Sequence, residues 1–199
     1  AQTVDNMAIE LTGSAEPNNK DKGIFLTNAD ISGDGKVCLL GGNKLILWYP
    51  YSNEKYELLN GSVDQIIISE KGSYGLCVYG QYNVLFDLKK RRIINKYHTF
   101  KRSDNPLLRC FSYDEKYLYI LQSGYKLYKY ETRTGKCISD IKFFSRISPD
   151  LKKYISQILI SPDGTNLIAV FGKKKTIVNY DLTNNTIINK LNLSYIIEC

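Results

Sequence analysis

Apolar and polar residues alternate along this chain in short runs, and no stretch lengthens into a helical stripe. Runs such as Val37-Cys38-Leu39-Leu40, Leu118-Tyr119-Ile120-Leu121 and Leu167-Ile168-Ala169-Val170 are β-branched or aromatic and are bounded by Gly, Asn, Asp and Pro. That pattern predicts strands joined by tight turns. The order recurs four times: an apolar run, a Ser-led turn, a second run, a Gly, a third run closed by an aromatic, then a turn into a more polar fourth run. The turns start at Ser32, Ser69, Ser112 and Ser161, and the closing aromatics are Trp48, Phe86, Tyr130 and Tyr180.

Ser-to-Ser steps of 37, 43 and 49 residues suit a unit made of one four-stranded antiparallel sheet, the blade of a β-propeller. A Gly follows each Ser after 10, 11, 12 and 11 residues (Gly42, Gly80, Gly124, Gly172), and the aromatic follows that Gly after 6, 6, 6 and 8. Turns such as Ser32-Gly33-Asp34-Gly35 and Ser161-Pro162-Asp163-Gly164 fit a hairpin, because the first side chain can bond the backbone while Gly takes a positive φ. Gly42 and Gly80 are expected to do the same at the next hairpin, and further turns are expected at Tyr51-Ser52-Asn53, Lys89-Lys90-Arg91, Thr134-Gly135 and Asn184-Asn185. The expectation is therefore an all-β chain with blades over 23–60, 61–100, 101–150 and 151–192, and the start of a further strand over 193–199. Residues 1–22 read as a polar segment or linker, in which Met7-Ala8-Ile9-Glu10-Leu11 has the pattern of one strand.

The run apolar-x-Phe/Ile-Ser-x-Asp-Gly, then strand, Gly, strand and aromatic-Asp, resembles the WD-repeat propellers over roughly residues 24 to 192. The likeness is clearest in Ile158-Leu159-Ile160-Ser161-Pro162-Asp163-Gly164 with Tyr180-Asp181. The closing pairs Trp48-Tyr49, Phe86-Asp87, Tyr130-Glu131 and Tyr180-Asp181 are degenerate and no Gly-His pair precedes a unit, so the family's buried hydrogen-bond relay is absent or replaced. His98, the only histidine, lies 14 residues before Ser112, near where the family's His falls, and is read as a loop residue. Strand patterning by itself also fits other propellers, quinoprotein-like ones among them. Propellers have about 4 to 8 blades and the WD-like ones sit at the upper end, so four repeats point to part of a longer propeller. The alternative is that a strand from Tyr195 pairs beside the first blade and closes the ring.

What the resemblance implies is a non-catalytic scaffold that offers its faces to other proteins in a multiprotein assembly. Similar propellers that are basic contact RNA in ribosome-building complexes, which is the second reading. A secreted or surface binding domain is the third.

Composition narrows the setting. The 199 residues are 43% apolar and 12% aromatic, enough for a single all-β unit with a core, and sixteen Tyr suit half-exposed sheet positions. No run approaches the ~20 apolar residues of a membrane span and no signal peptide is visible, so no membrane partner is expected. Cys38, Cys77, Cys110, Cys137 and Cys199 are odd in number, widely spaced and unlike metal-ligand pairs, which favours free thiols in the cytoplasm or nucleus. Three Asn-x-Ser/Thr triplets, at Asn60, Asn184 and Asn192, keep secretion as the alternative.

Candidate chemistry is sparse. A lone imidazole without a Gly-x-Ser-x-Gly elbow gives no hydrolase triad, and Asp34, Asp114 and Asp163 occupy turn positions where Asp serves the backbone. The glycines around Gly33 and Gly41 precede neither a Lys-Ser/Thr nor a helix, so they form no phosphate loop. The expectation is no enzyme, cofactor, metal or small-molecule substrate. Charge says more: the net is +7 with pI about 9.0, and bases bunch at Lys89-Lys90-Arg91-Arg92, Lys101-Arg102, Lys152-Lys153 and Lys173-Lys174-Lys175. Solvated turns are the ordinary reading, and a basic rim facing phosphate is the sharper one, with Lys89, Lys90, Arg91, Arg92, Lys173, Lys174 and Lys175 as the candidate contacts.

Overall fold

Sixteen strands form four separate antiparallel sheets in the computed structural model, which describes residues 23–98, 108–122 and 126–194 apart from the side chain of Phe144. Blade one holds β1 (Leu26–Ile31), β2 (Cys38–Gly42), β3 (Lys44–Tyr49) and β4 (Glu54–Asn60). Blade two holds β5 (Val63–Ile68), β6 (Tyr74–Tyr79), β7 (Tyr82–Asp87) and β8 (Arg92–His98). Blade three holds β9 (Arg109–Phe111), β10 (Tyr117–Gln122), β11 (Lys126–Glu131) and β12 (Cys137–Ile141). Blade four holds β13 (Gln157–Ile160), β14 (Asn166–Phe171), β15 (Thr176–Asp181) and β16 (Thr186–Asn192). Strands pair in chain order within every blade, and in blades two, three and four the fourth strand is the most exposed.

The Ser turns set each blade's first hairpin. In all four, the Ser Oγ accepts from the backbone N–H five residues on: Val37, Tyr74, Tyr117 and Asn166, at 2.9–3.1 Å. The residue three after Ser takes a left-handed φ each time: Gly35, Gly72, Glu115 and Gly164. A second constant follows the aromatic by five residues, where Asn53, Arg91, Gly135 and Asn185 are also left-handed and turn the third strand into the fourth. Glycine is a natural choice at such positions and Asn tolerates them, so Glu115 and Arg91 stand out.

The closing aromatics are equivalent in register. Trp48 pairs with Cys38, Phe86 with Gly75, Tyr130 with Leu118 and Tyr180 with Leu167, each partner lying six residues after its Ser. Every aromatic faces backward. Phe86 packs on Leu39, Leu45 and Leu47 of blade one, Tyr130 on Leu76 and Leu85 of blade two, and Tyr180 on Tyr119, Leu121 and Leu127 of blade three. Those three are buried, whereas Trp48 is only half-buried. Its face is the one on which no described blade packs. On the far side, blade four leaves Leu159 46% and Leu191 54% exposed, and no buried cluster joins blades four and one among the described residues.

Three expectations change. Gly42 does not turn through a positive φ; it lies in β2, where an added Cβ would sit 1.8 Å from the Phe25 carbonyl oxygen, so close backbone approach requires it. Gly172 opens a short 3₁₀ turn whose left-handed residue is Lys175, while Gly80 does take the expected positive φ and Gly124 lies outside the described residues. The link from blade three to blade four carries a 3₁₀ segment (Lys142–Arg146) and a one-turn helix, α1 (Pro149–Lys152), and lodges Phe143, Ile147 and Ile155 in the core between those blades. These pieces are too short to show a helical period, which is why the pattern of the chain did not mark them. His98 is the exposed last residue of β8, its ring tilted against that of Tyr82 at 4.7 Å, rather than a loop residue. Lys101, Arg102, Met7–Leu11 and Tyr195–Cys199 lie outside the described residues.

Candidate functional site

Because successive strands run in opposite directions, each blade has two ends. One end carries the Ser turn and the turn from third to fourth strand; the other carries the hairpin between second and third strands and the link to the next blade. Contacts between neighbours show that the Ser turns share one end. Gly33 N–H donates to the Glu70 carbonyl at 2.8 Å, Ile68 N–H donates to Asp30 Oδ2 at 2.7 Å, and Ser69 Oγ donates to Glu115 Oε1 at 2.5 Å.

At the Ser-turn end, a carboxylate completes every turn. Ser32, Ser112 and Ser161 donate to Asp34, Asp114 and Asp163 two residues on, at 2.7, 2.7 and 2.5 Å, and the same Oδ1 accepts from the backbone N–H two residues further. Ser69 has Lys71 where the others have Asp. The missing carboxylate comes from the next blade: Glu115 Oε1 accepts from Ser69 Oγ, from Lys71 N–H at 2.7 Å and from Ser73 N–H at 3.3 Å. This accounts for a Glu where the other three turns place Gly at the left-handed position, since its side chain is buried in the turn of blade two. The bond from Ser112 holds the Asp114 carboxyl down at about 2, and the bonds from Ser32 and Ser161 lower Asp34 and Asp163. Burial pushes Glu115 up, but its bonds from Ser69, Ser73 and Lys71 outweigh that and leave it lowered. These groups are ionised acceptors committed to backbone and hydroxyl donors, a structural use of carboxylate.

On the inner side, a cleft of about 300 Å³ is bordered by the first strands and turns of all four blades, among them Asp30, Glu70, Arg109, Tyr113 and Pro162. Arg109 is only 9% exposed and donates to the Gln65 carbonyl and side-chain oxygen at 3.3 and 2.9 Å. A bulge at Gln65, left-handed at φ 42°, turns both acceptors toward it. Burial without a facing carboxylate lowers the Arg109 guanidinium to about 10, so it stays charged at neutral pH. Sequence reasoning did not single out Arg109 or Gln65, and an isolated Arg at a strand start gives no signal that it will be covered. Among the described residues, no group of three or more His, Cys, Asp and Glu gathers as metal ligands.

The basic candidates divide between the two ends. Lys89, Lys90, Arg91 and Arg92 form the turn between β7 and β8, at the Ser-turn end. Lys90 and Arg92 each stand 3.9 Å from Asp87, and the Arg91 guanidinium lies 4.1 Å over the Tyr56 ring of blade one. Lys173, Lys174 and Lys175 form the hairpin of blade four at the opposite end. There the link carrying Lys152 and Lys153 meets them: the Lys153 and Lys174 ammonium groups lie 5.2 and 4.9 Å from the Tyr154 ring centre. Among the described residues, two of the basic groups thus converge at one end and the turn of blade two lies at the other.

The four described cysteines are free, with Cys38 and Cys77 buried and Cys137 exposed. Among the described residues, no helix is long and apolar enough to cross a membrane. Neither a protein-family model nor a curated protein matches this chain.

Proposed function

We propose that this protein is a non-catalytic scaffold of the WD-repeat kind, whose propeller blades present turns and hairpins to partner proteins in an assembly. The observation that carries this reading is the use of acid groups at the Ser-turn end. Among the acids of that end, Asp34, Asp114, Asp163 and Glu115 each spend their charge on turn donors rather than on a reacting group. A surface built by repetition, with its ionisable groups tied into the backbone, suits presentation of shape. Exposed Tyr113, in the Ser turn of blade three, is the kind of aromatic side chain that interfaces favour.

The test is cross-linking mass spectrometry on the tagged full chain in its own cells, with lysines of the two ends as reporters. Lys36, Lys71 and Lys116 mark the Ser-turn end and Lys126, Lys153 and Lys173 the other. The scaffold reading expects repeated cross-links from one end to the same partner, in a complex that survives gel filtration. A chain that elutes alone, without such cross-links, would count against it.

A further inference from the structure

We propose that the end of blades three and four opposite the Ser turns is a binding surface for single-stranded nucleic acid, centred on Tyr154. This goes beyond the scaffold reading, which stands whichever way the test below falls.

Charge at that end is one-sided. Lys126, Lys152, Lys153, Lys173 and Lys174 are brought there by the start of β11, the link between blades and the β14–β15 hairpin, and none has a carboxylate within ion-pair distance among the described residues. Lys142 is paired with Asp140 at 3.3 Å, and Lys175 donates to the Ser194 carbonyl at 3.1 Å. Asp150 is the acid of the link itself. The Ser-turn end is different: its bases alternate with Asp34, Glu70, Asp87, Asp114, Glu131 and Asp181.

Two ammonium groups share one half-buried ring. The Lys153 and Lys174 Nζ atoms, each near the Tyr154 centroid, are no more than about 10 Å apart, within a Debye length at 0.1 M salt. They therefore repel, and a bound phosphate between them relieves that repulsion while releasing counterions. An aromatic platform within a field of phosphate-binding cations is how proteins hold single strands without reading their sequence.

The probe is a fluorescein-labelled 20-nucleotide oligo(U) RNA, titrated with the full chain by anisotropy at several salt concentrations. The parent is expected to bind with a steep salt dependence. Replacing Lys152, Lys153, Lys173 and Lys174 by Ser should flatten the log-log slope by about 3, at roughly 0.7 per single-strand phosphate. Replacing Lys89, Lys90, Arg91 and Arg92 by Ser removes the same charge from the other end and should leave the slope unchanged. Y154L should weaken binding about tenfold with no change in slope, the signature of lost stacking. Circular dichroism and melting of each variant check that the fold is kept. Absence of salt-sensitive binding, equal losses in the two quadruple variants, or displacement of the RNA by polyglutamate of matched charge would each overturn the proposal, the last in favour of an acidic protein.

Discussion

Replacing Glu115 should destabilise blade two more than the blade in which Glu115 lies. Its Oε1 accepts from the buried Ser69 hydroxyl and from the Lys71 and Ser73 amides, all belonging to the preceding blade. A hydrogen bond to a charged acceptor is worth about 1.5–3 kcal/mol, and a buried donor left without an acceptor costs about 1–3 kcal/mol. Glu115→Ala should therefore cost about 2–4 kcal/mol, which for a domain of this size lowers Tm by about 4–16 °C. Glu115→Gly loses the same bonds but relieves the left-handed backbone at φ 63°, recovering about 1 kcal/mol. The decisive variant is Lys71→Asp with Glu115→Gly, which gives both turns the Ser-x-Asp-Gly form that Ser161 already has. It should restore most of the loss. Lys71→Asp alone should destabilise, because two carboxylates then crowd Ser69 at neutral pH. Urea unfolding of the four proteins yields the coupling energy, expected to favour the double variant by more than 1 kcal/mol over the sum of the singles. Additive losses, or a Glu115→Ala cost below about 0.5 kcal/mol, would show that the carboxylate does not complete the turn.

Three more outcomes follow from the same structure. Phe86→Ala, at a fully buried ring, should cost about 3–5 kcal/mol, and Trp48→Ala, at the half-buried equivalent, clearly less; equal costs in urea unfolding would mean that something covers Trp48 as thoroughly. A thiol reagent at pH 8 should label exposed Cys137 first and spare Cys77, whose buried thiol is pushed up to about 12; rapid modification of Cys77 in the folded protein would refute its burial. Asp114 is held to about 2, and Asp34, Asp163 and Glu115 are also lowered, so each stabilises the fold above its ordinary range and ceases to as pH falls through its folded value. Tm should therefore drop between pH about 4 and about 2, with half-buried Asp30, which is raised, opposing in part, and D114N should blunt the drop. A flat profile would contradict the role of the turn carboxylates.

The blades were legible because their signals are local. Ser at one hairpin and an aromatic two strands later sit within one sheet, so spacing along the chain reports them directly. The contributions between blades were not. Nothing near Ser69 in sequence says that its carboxylate will come from Glu115, 46 residues away. Convergence of Lys153 and Lys174 on Tyr154 likewise depends on strand direction, because a hairpin and a link meet only when the sheet puts them at one end. Phe143 was hidden for another reason: a five-residue 3₁₀ segment has too few turns to show a period, so its core residue read as connection. Trp48 shares the register of Phe86, Tyr130 and Tyr180 but not their burial, because register is set within a sheet and burial by the neighbouring one.

The backward-facing aromatics make this architecture vectorial. Each blade leaves the ribosome after the one whose apolar side its ring will seal, so Leu39, Leu45 and Leu47 wait for Phe86, and Tyr119, Leu121 and Leu127 wait for Tyr180. During synthesis the exposed surface is always that of the newest blade, and it is covered by the next arrival rather than by rearrangement of what has already folded. A nascent chain stalled between Tyr49 and Phe86 would thus display the sticky side of blade one, and chaperone occupancy should peak there and recur once per repeat.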